Sequence, residues 1–195
     1  MTEIPSDYTL LENERPYWHG RLSWKANIGY IFLGILLIIV GIITVTAYGL
    51  GILFILIAII LFVKAVIRVK STEYFVTSHR VFAKFGLVSR RVFEIKNEWI
   101  TGTMVKQGFI ARLLNYGDVI ISTPGQYAGS VAIIGVSDPM HIRTIVEEAI
   151  NRYKAFKEAE QDLKELEKEY ELGRIDKAKY EELKAKYEER LRKSL

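Results

Sequence analysis

From Ala26 to Val63 the chain carries no charged residue, a run of 38 positions lying between Lys25 and Lys64. As one helix it would be about 57 Å long, almost twice a bilayer core of about 30 Å. A single straight helix would leave far too much apolar surface in water. Folded in half it gives two passes of membrane length. The break is expected at Thr46-Ala47-Tyr48-Gly49-Leu50-Gly51, where two glycines permit a tight turn. The alternative, a hairpin buried in a soluble protein, fits poorly because both passes are apolar all round.

The flanking charges suggest an orientation. Arg15, Arg21 and Lys25 precede the first pass, Lys64, Arg68 and Lys70 close the second, and the connecting turn is neutral. The excess of cations on both flanks puts them on the cytoplasmic side, so the expectation is a multi-pass cell-membrane protein with both termini cytoplasmic. Trp18, Trp24, Tyr30 and Tyr48 suit interfacial aromatic belts, with packing against a soluble domain as the alternative. The net charge of +4 lies outside the densely mixed tail and close to the bilayer. It fits an anionic leaflet better than nucleic acid, for which no basic stripe with stacking aromatics is present. With no cysteine in the chain, disulfides, thiolate catalysis and cysteine-rich zinc sites are excluded.

After Lys70 the texture becomes strand-like. Residues 73–77, 80–85, 88–95, 99–105, 118–123 and 130–135 are short runs bounded by Gly, Pro, Asn or Ser, as in an antiparallel roll or barrel. Asp138-Pro139 then caps a helix whose apolar stripe is Ile142, Ile145, Val146, Ala149, Ile150 and Tyr153. Such a stripe needs a surface, and an open end of the roll supplies one. Arg112, inside the apolar segment Phe109–Leu114, is read as holding carbonyls or a carboxylate, with ligand contact as the alternative. Asp118, directly after Gly117, is placed to accept from backbone amides.

The tail from 156 reads as two short amphipathic helices meeting at Gly173-Arg174-Ile175-Asp176. Leu163, Leu166 and Tyr170 line the first, and Tyr180, Leu183, Tyr187 and Leu191 the second. So narrow a stripe forms no core alone and must dock on the domain, another copy or a partner. The expected division is 1–26 N-terminal segment, 27–68 transmembrane hairpin, 71–155 soluble module and 156–195 charged tail. The fold class is α+β: a transmembrane helical hairpin, a β roll with a C-terminal capping helix, then a helical tail.

Catalytic patterns do not emerge. His19, His79 and His141 are far apart, none at metal-ligand spacing, and there is no Walker loop, nucleophile elbow or His-Glu-x-x-His. The expectation is therefore no catalytic residue, no metal and no cofactor. Gly29, Gly34 and Gly41 read as helix-packing positions. The candidate binding surface is the basic region around His79, with Arg80, Lys84, Arg90 and Arg91 as contacts for an anionic headgroup or a partner; the alternative is that these are solvated strand-face charges.

Several motifs in order carry a resemblance: Tyr74-x-x-Thr77-x-x-Arg80, Gly86-Leu-Val-Ser-Arg-Arg91, Glu94-Ile95, Ile100, Arg112-Leu-Leu, Gly117-Asp-Val and Gly135-Val-x-Asp-Pro139. Preceded by Trp18-x-Gly-x-Leu-Ser-Trp24 and two spans, they resemble the bacterial pleckstrin-homology-like membrane proteins. The resemblance implies two packed sheets with a capping helix, and no particular activity. Asn115-Tyr116 departs from it, since glycine is expected there. Leu172-Gly-x-Ile-Asp176-x-x-x-Tyr180-x-x-x-Lys184 is similar to the short C-terminal helical domain of the SHOCT type, with Lys179 in place of its capping-box acid. Together these imply a non-enzymatic scaffold or adaptor at the cytoplasmic face, its tail joining copies or recruiting a protein. Headgroup sensing and an accessory role in a membrane complex are the alternatives.

Overall fold

The structure is a computed structural model, and it describes residues 14–48, 50–86, 91–124 and 131–194, together with Leu10. Gly49, the start of the strand expected at 88 and the head of the run at 130 lie outside the described residues.

Helices α1 (Ile28–Tyr48) and α2 (Gly51–Lys70) form the hairpin. Gly34 and Gly41 on α1, and Gly51, Ala58 and Ala65 on α2, are buried at seven-residue spacing, so small side chains line the seam between the helices. A β-carbon at Gly41 would stand 2.8 Å from Ile55 Cγ1 and 2.9 Å from the Gly51 carbonyl. Gly29, by contrast, faces open space and has no packing role. Short of the basic last turns of α2, the described hairpin surface is mostly exposed hydrocarbon, with Phe32 70%, Ile43 66% and Ile60 64% exposed. A helix pair at the core of a soluble protein would bury such residues. Both helices are long and apolar enough to cross a membrane.

Among the described residues seven strands make two antiparallel sheets. One runs β1 (Pro16–Arg21), β2 (Thr72–Thr77), β3 (Arg80–Phe85), β4 (Arg91–Lys96). The other runs β5 (Gly102–Lys106), β6 (Tyr116–Ser122), β7 (Val131–Ser137). The sheets enclose a core of Tyr74, Val76, Val81, Ala83, Ile95, Ile100, Val119, Ile121, Ile133 and Val136. Helix α4 (Pro139–Glu171) covers this core with Ile142, Val146, Ala149 and Ile150. This is an α+β arrangement of the pleckstrin-homology kind with an apolar helix pair before it and a helical tail after it.

Two boundaries differ from expectation. Residues 16–21, assigned to a separate N-terminal segment, are the first strand of the domain, so the hairpin is inserted in the β1–β2 connection. The second difference is at the C-terminal side. α4 runs unbroken through 155 and 156, because nothing between Tyr153 and Glu171 breaks a helix. At about 49 Å it is long enough to cap the core and project well beyond it.

Candidate functional site

The register places one end of the domain against the hairpin. Arg21 pairs with Glu73 and Phe85 with Thr72, so the end of β1, the start of β2 and the end of β3 all lie beside the helices. Leu22 N donates to Thr72 O at 3.4 Å, and Ser71 N caps α2 on Ile67 O. Both ends of the apolar pair are thus held at one edge of one sheet.

A bulge in β7 makes the second attachment. Val119 opposes Ile133 and Gly117 opposes Val136, so Ile134 and Gly135 together face Asp118. The bulge frees backbone groups that need partners. The Tyr74 hydroxyl, 3.0 Å from both, donates to Ile134 O and accepts from Ile134 N. Asp118 Oδ1 accepts from Gly135 N at 2.7 Å. Gly135 O accepts from Ser23 N at 2.8 Å, and the Ser23 and Ser137 hydroxyls meet at 3.1 Å. The turn Trp24–Asn27, which leads into α1, packs here, and Lys25 Nζ donates to Leu114 O at 2.9 Å. Asn27 is fully buried in this joint, and neither side-chain amide atom has a hydrogen-bond partner among the described residues.

Tyr74 is the pin between the sheets. Burial, against the hydrogen bond to Ile134, pushes its phenol up to about 12. That lies above the ordinary value near 10, so the unfolded chain ionises first. The associated stability is complete below pH 10 and is lost as pH rises from about 10 to 12, roughly 2–3 kcal/mol in all. Tyr74→Phe is expected to remove that alkaline slope. At neutral pH it should cost about 1–3 kcal/mol, because both backbone groups of Ile134 lose their partner. Denaturant unfolding of both proteins in detergent at pH 7.5 and pH 11 checks both parts.

Of the basic residues expected to form a binding cluster, Arg80 stands apart from Lys84 and Arg91, which lie near the other end of the β3–β4 pair. Arg80 lies at the end of β3 remote from the hairpin, about 13 Å along the strand from Lys84. Its Nε and Nη2 each donate at 2.9 Å to a carboxylate oxygen of Glu14, whose side chain is wholly buried. Its Nη1 reaches Glu94 at 2.9 Å, and the Thr77 hydroxyl donates to Glu14 at 2.6 Å. These bonds, that to Glu14 foremost, hold the guanidinium pKa above its ordinary value despite burial. Lys84 stands 3.8 Å from Glu73, which also binds Arg21 at 2.8 Å. Arg91 is exposed at the start of β4, while Arg90 lies outside the described residues. On the sheet face that carries Arg80 and Lys84, His19 stacks on Phe75 at 4.4 Å and Phe75 on Phe82 at 4.8 Å. Burial, followed by Arg21, lowers the His19 pKa against the pull of Glu73.

Arg112 is exposed and has no ion pair among the described residues. The carbonyl at that corner is taken by Lys25. Asn115 adopts φ 50°, the left-handed conformation that asparagine tolerates, in the place where glycine was expected. Trp18 packs against the core, the alternative considered for it, and Trp24 is 50% exposed at the joint.

In the tail, Gly173 at φ 68° ends α4, with Arg174 N bonded back to Glu169 O. Helix α5 (Lys177–Ser194) folds back along α4. Tyr170 stacks on Tyr180 at 4.3 Å, and Arg190 reaches Asp162 at 3.1 Å. Leu166 and Ala159 are buried, while Leu163, Leu183, Tyr187 and Leu191 are half-buried. The two stripes therefore meet within one chain.

No curated protein and no solved structure matches the chain. A family model does, and its description is bacterial PH domain. It covers residues 23–150, from the joint through the apolar helices and both sheets to the core-covering half of α4. More than half of the 195 residues are matched, and the chain belongs to the bacterial PH domain family.

Proposed function

We propose that this protein is a non-enzymatic scaffold. Its α1–α2 hairpin crosses the membrane, its PH-like domain sits on the cytoplasmic face, and its α4–α5 hairpin is held out into the cytoplasm to engage another copy or a protein partner. The observation that carries this reading is the position of the hairpin inside the β1–β2 connection. The domain cannot swing on a linker, because two adjacent strands of one sheet run directly into the two helices. α4 starts near the joint, where Asp138 N bonds to Asn115 O, and Tyr153 packs 5.8 Å from His79 at the opposite end. The helix therefore leads away from the apolar pair. Fixed orientation at a surface raises effective concentration, so weak tail contacts suffice.

The tail's likeness to the SHOCT-type domain supports recruitment or self-association, with α5 able to exchange its place on α4 for the same place on a neighbour. Headgroup binding draws less support, since Arg80 is committed to Glu14 and points to the wrong end. The test is cross-linking in native membranes of the full chain and of a chain ending at Phe156. Loss of higher-order or partner-linked species on truncation is the expected result. Identical cross-link patterns would remove the tail from the account.

A further inference from the structure

Helix α3 (Phe109–Leu113) links β5 to β6 and leaves its apolar side uncovered: Phe109 is 87% exposed, Leu113 77% and Ile110 58%. These three lie at i, i+1 and i+4, one face of a short helix. Its place in the fold is specific. Lys106 pairs with Asp118 and Gly117 with Val136, so the β5–β6 connection lies at the end of the second sheet that carries the bulge and the joint. Lys25, one residue after the exposed Trp24 and three before α1, bonds the carbonyl of Leu114 at the end of α3. At the same end of the other sheet, Val92 and Phe93 of β4 are each 52% exposed. The exposed Arg112 lies in α3 itself.

Resting on the reading that α1 and α2 cross a bilayer, we infer that α3 is a third membrane contact: Phe109, Ile110 and Leu113 insert into the headgroup–acyl boundary of the leaflet from which α1 starts. The occupant is lipid because Lys25 ties the end of α3 to the short turn that leads into α1, so the three exposed apolar side chains stand at the end of the domain from which the apolar pair leaves. Arg112 then lies at headgroup level beside anionic lipid, the arrangement of an interfacial amphipathic segment. With the hairpin as one support and α3 as another, the domain is set at a fixed tilt and α4 leaves the surface in one direction.

The absence of cysteine makes single-site labelling clean. The full chain carrying Leu113→Cys, Ile60→Cys or Lys179→Cys is labelled with an environment-sensitive fluorophore and reconstituted into phosphatidylcholine–phosphatidylglycerol vesicles, with or without nitroxide lipids. Shallow nitroxides are expected to quench most of the emission at 113, with a blue shift, and deep nitroxides that at 60. Emission at 179 stays unquenched. Quenching at 60 with water-like, unquenched emission at 113 overturns the α3 contact and leaves the hairpin in place. A blue shift at 113 without quenching means that protein covers α3, and overturns it too. No quenching at 60 rejects the membrane hairpin, and the α3 contact with it.

Discussion

Gly135→Val is expected to destabilise the protein by about 3–5 kcal/mol and to loosen the hairpin from the domain. Two costs add. The residue sits at φ 63°, where a β-branched side chain is strained. Its β-carbon would also stand 2.6 Å from both Ala26 Cβ and Leu22 Cδ1. The neighbours cannot give way without moving Ser23, whose amide is bonded to Gly135 O. Gly135→Asn separates the terms, because asparagine accepts left-handed backbone and the clash remains. Thermal unfolding in detergent measures the loss, and limited proteolysis should find new cleavage between Arg21 and Ile28 in the valine variant. A valine variant that unfolds with the wild type and resists cleavage would mean that the bulge does not hold the joint.

Arg80→Met is expected to cost about 3–5 kcal/mol, the usual penalty for leaving a buried charge without its partner. Glu14 is wholly buried and would lose both bonds from the guanidinium. Arg80→Lys should fall between, since an ammonium cannot grip both oxygens of Glu14 as the guanidinium does. Combining Arg80→Met with Glu14→Gln should recover much of the loss, because the charge then goes with its partner. The same variants separate the two roles considered for Arg80. A structural role lowers the unfolding midpoint in vesicles of any composition. A headgroup contact would instead weaken the response to anionic lipid and spare stability.

The outline of the fold was legible where local chemistry decides it. Strands at 73–77 and 80–85 are within a residue of β2 and β3, since β-branched and aromatic runs with a Ser78-His79 turn leave little else. Asp138-Pro139 starts α4, with Asp138 Oδ1 accepting from His141 N. Gly34 and Gly41 lie in the helix seam, and Gly173 ends α4. What the sequence hid depends on partners distant in the chain. Pro16-Tyr-Trp-His-Gly-Arg21 has no alternation that marks a strand, and it becomes one only opposite Val76 and Glu73, beyond the whole hairpin. Arg80 looked like part of a basic surface because its counter-ion, Glu14, is 66 residues away. The Gly135 bulge could be suspected from Gly-Val-x-Asp-Pro, but its role in binding Ser23 needs the third dimension. Phe109–Leu114 reads as the apolar segment around Arg112, and no local pattern reveals that its helix stands on the outside of the domain.

The central claim is that two strands of one sheet send the chain across the bilayer and receive it back on the same side. Impermeant maleimide applied to sealed right-side-out vesicles tests this directly, using Arg15→Cys before β1, Leu50→Cys at the hairpin turn and Lys179→Cys in α5. Labelling at 50 alone, with 15 and 179 labelled only after permeabilisation, is the expected pattern. Labelling of 15 or 179 together with 50 in sealed vesicles would contradict it.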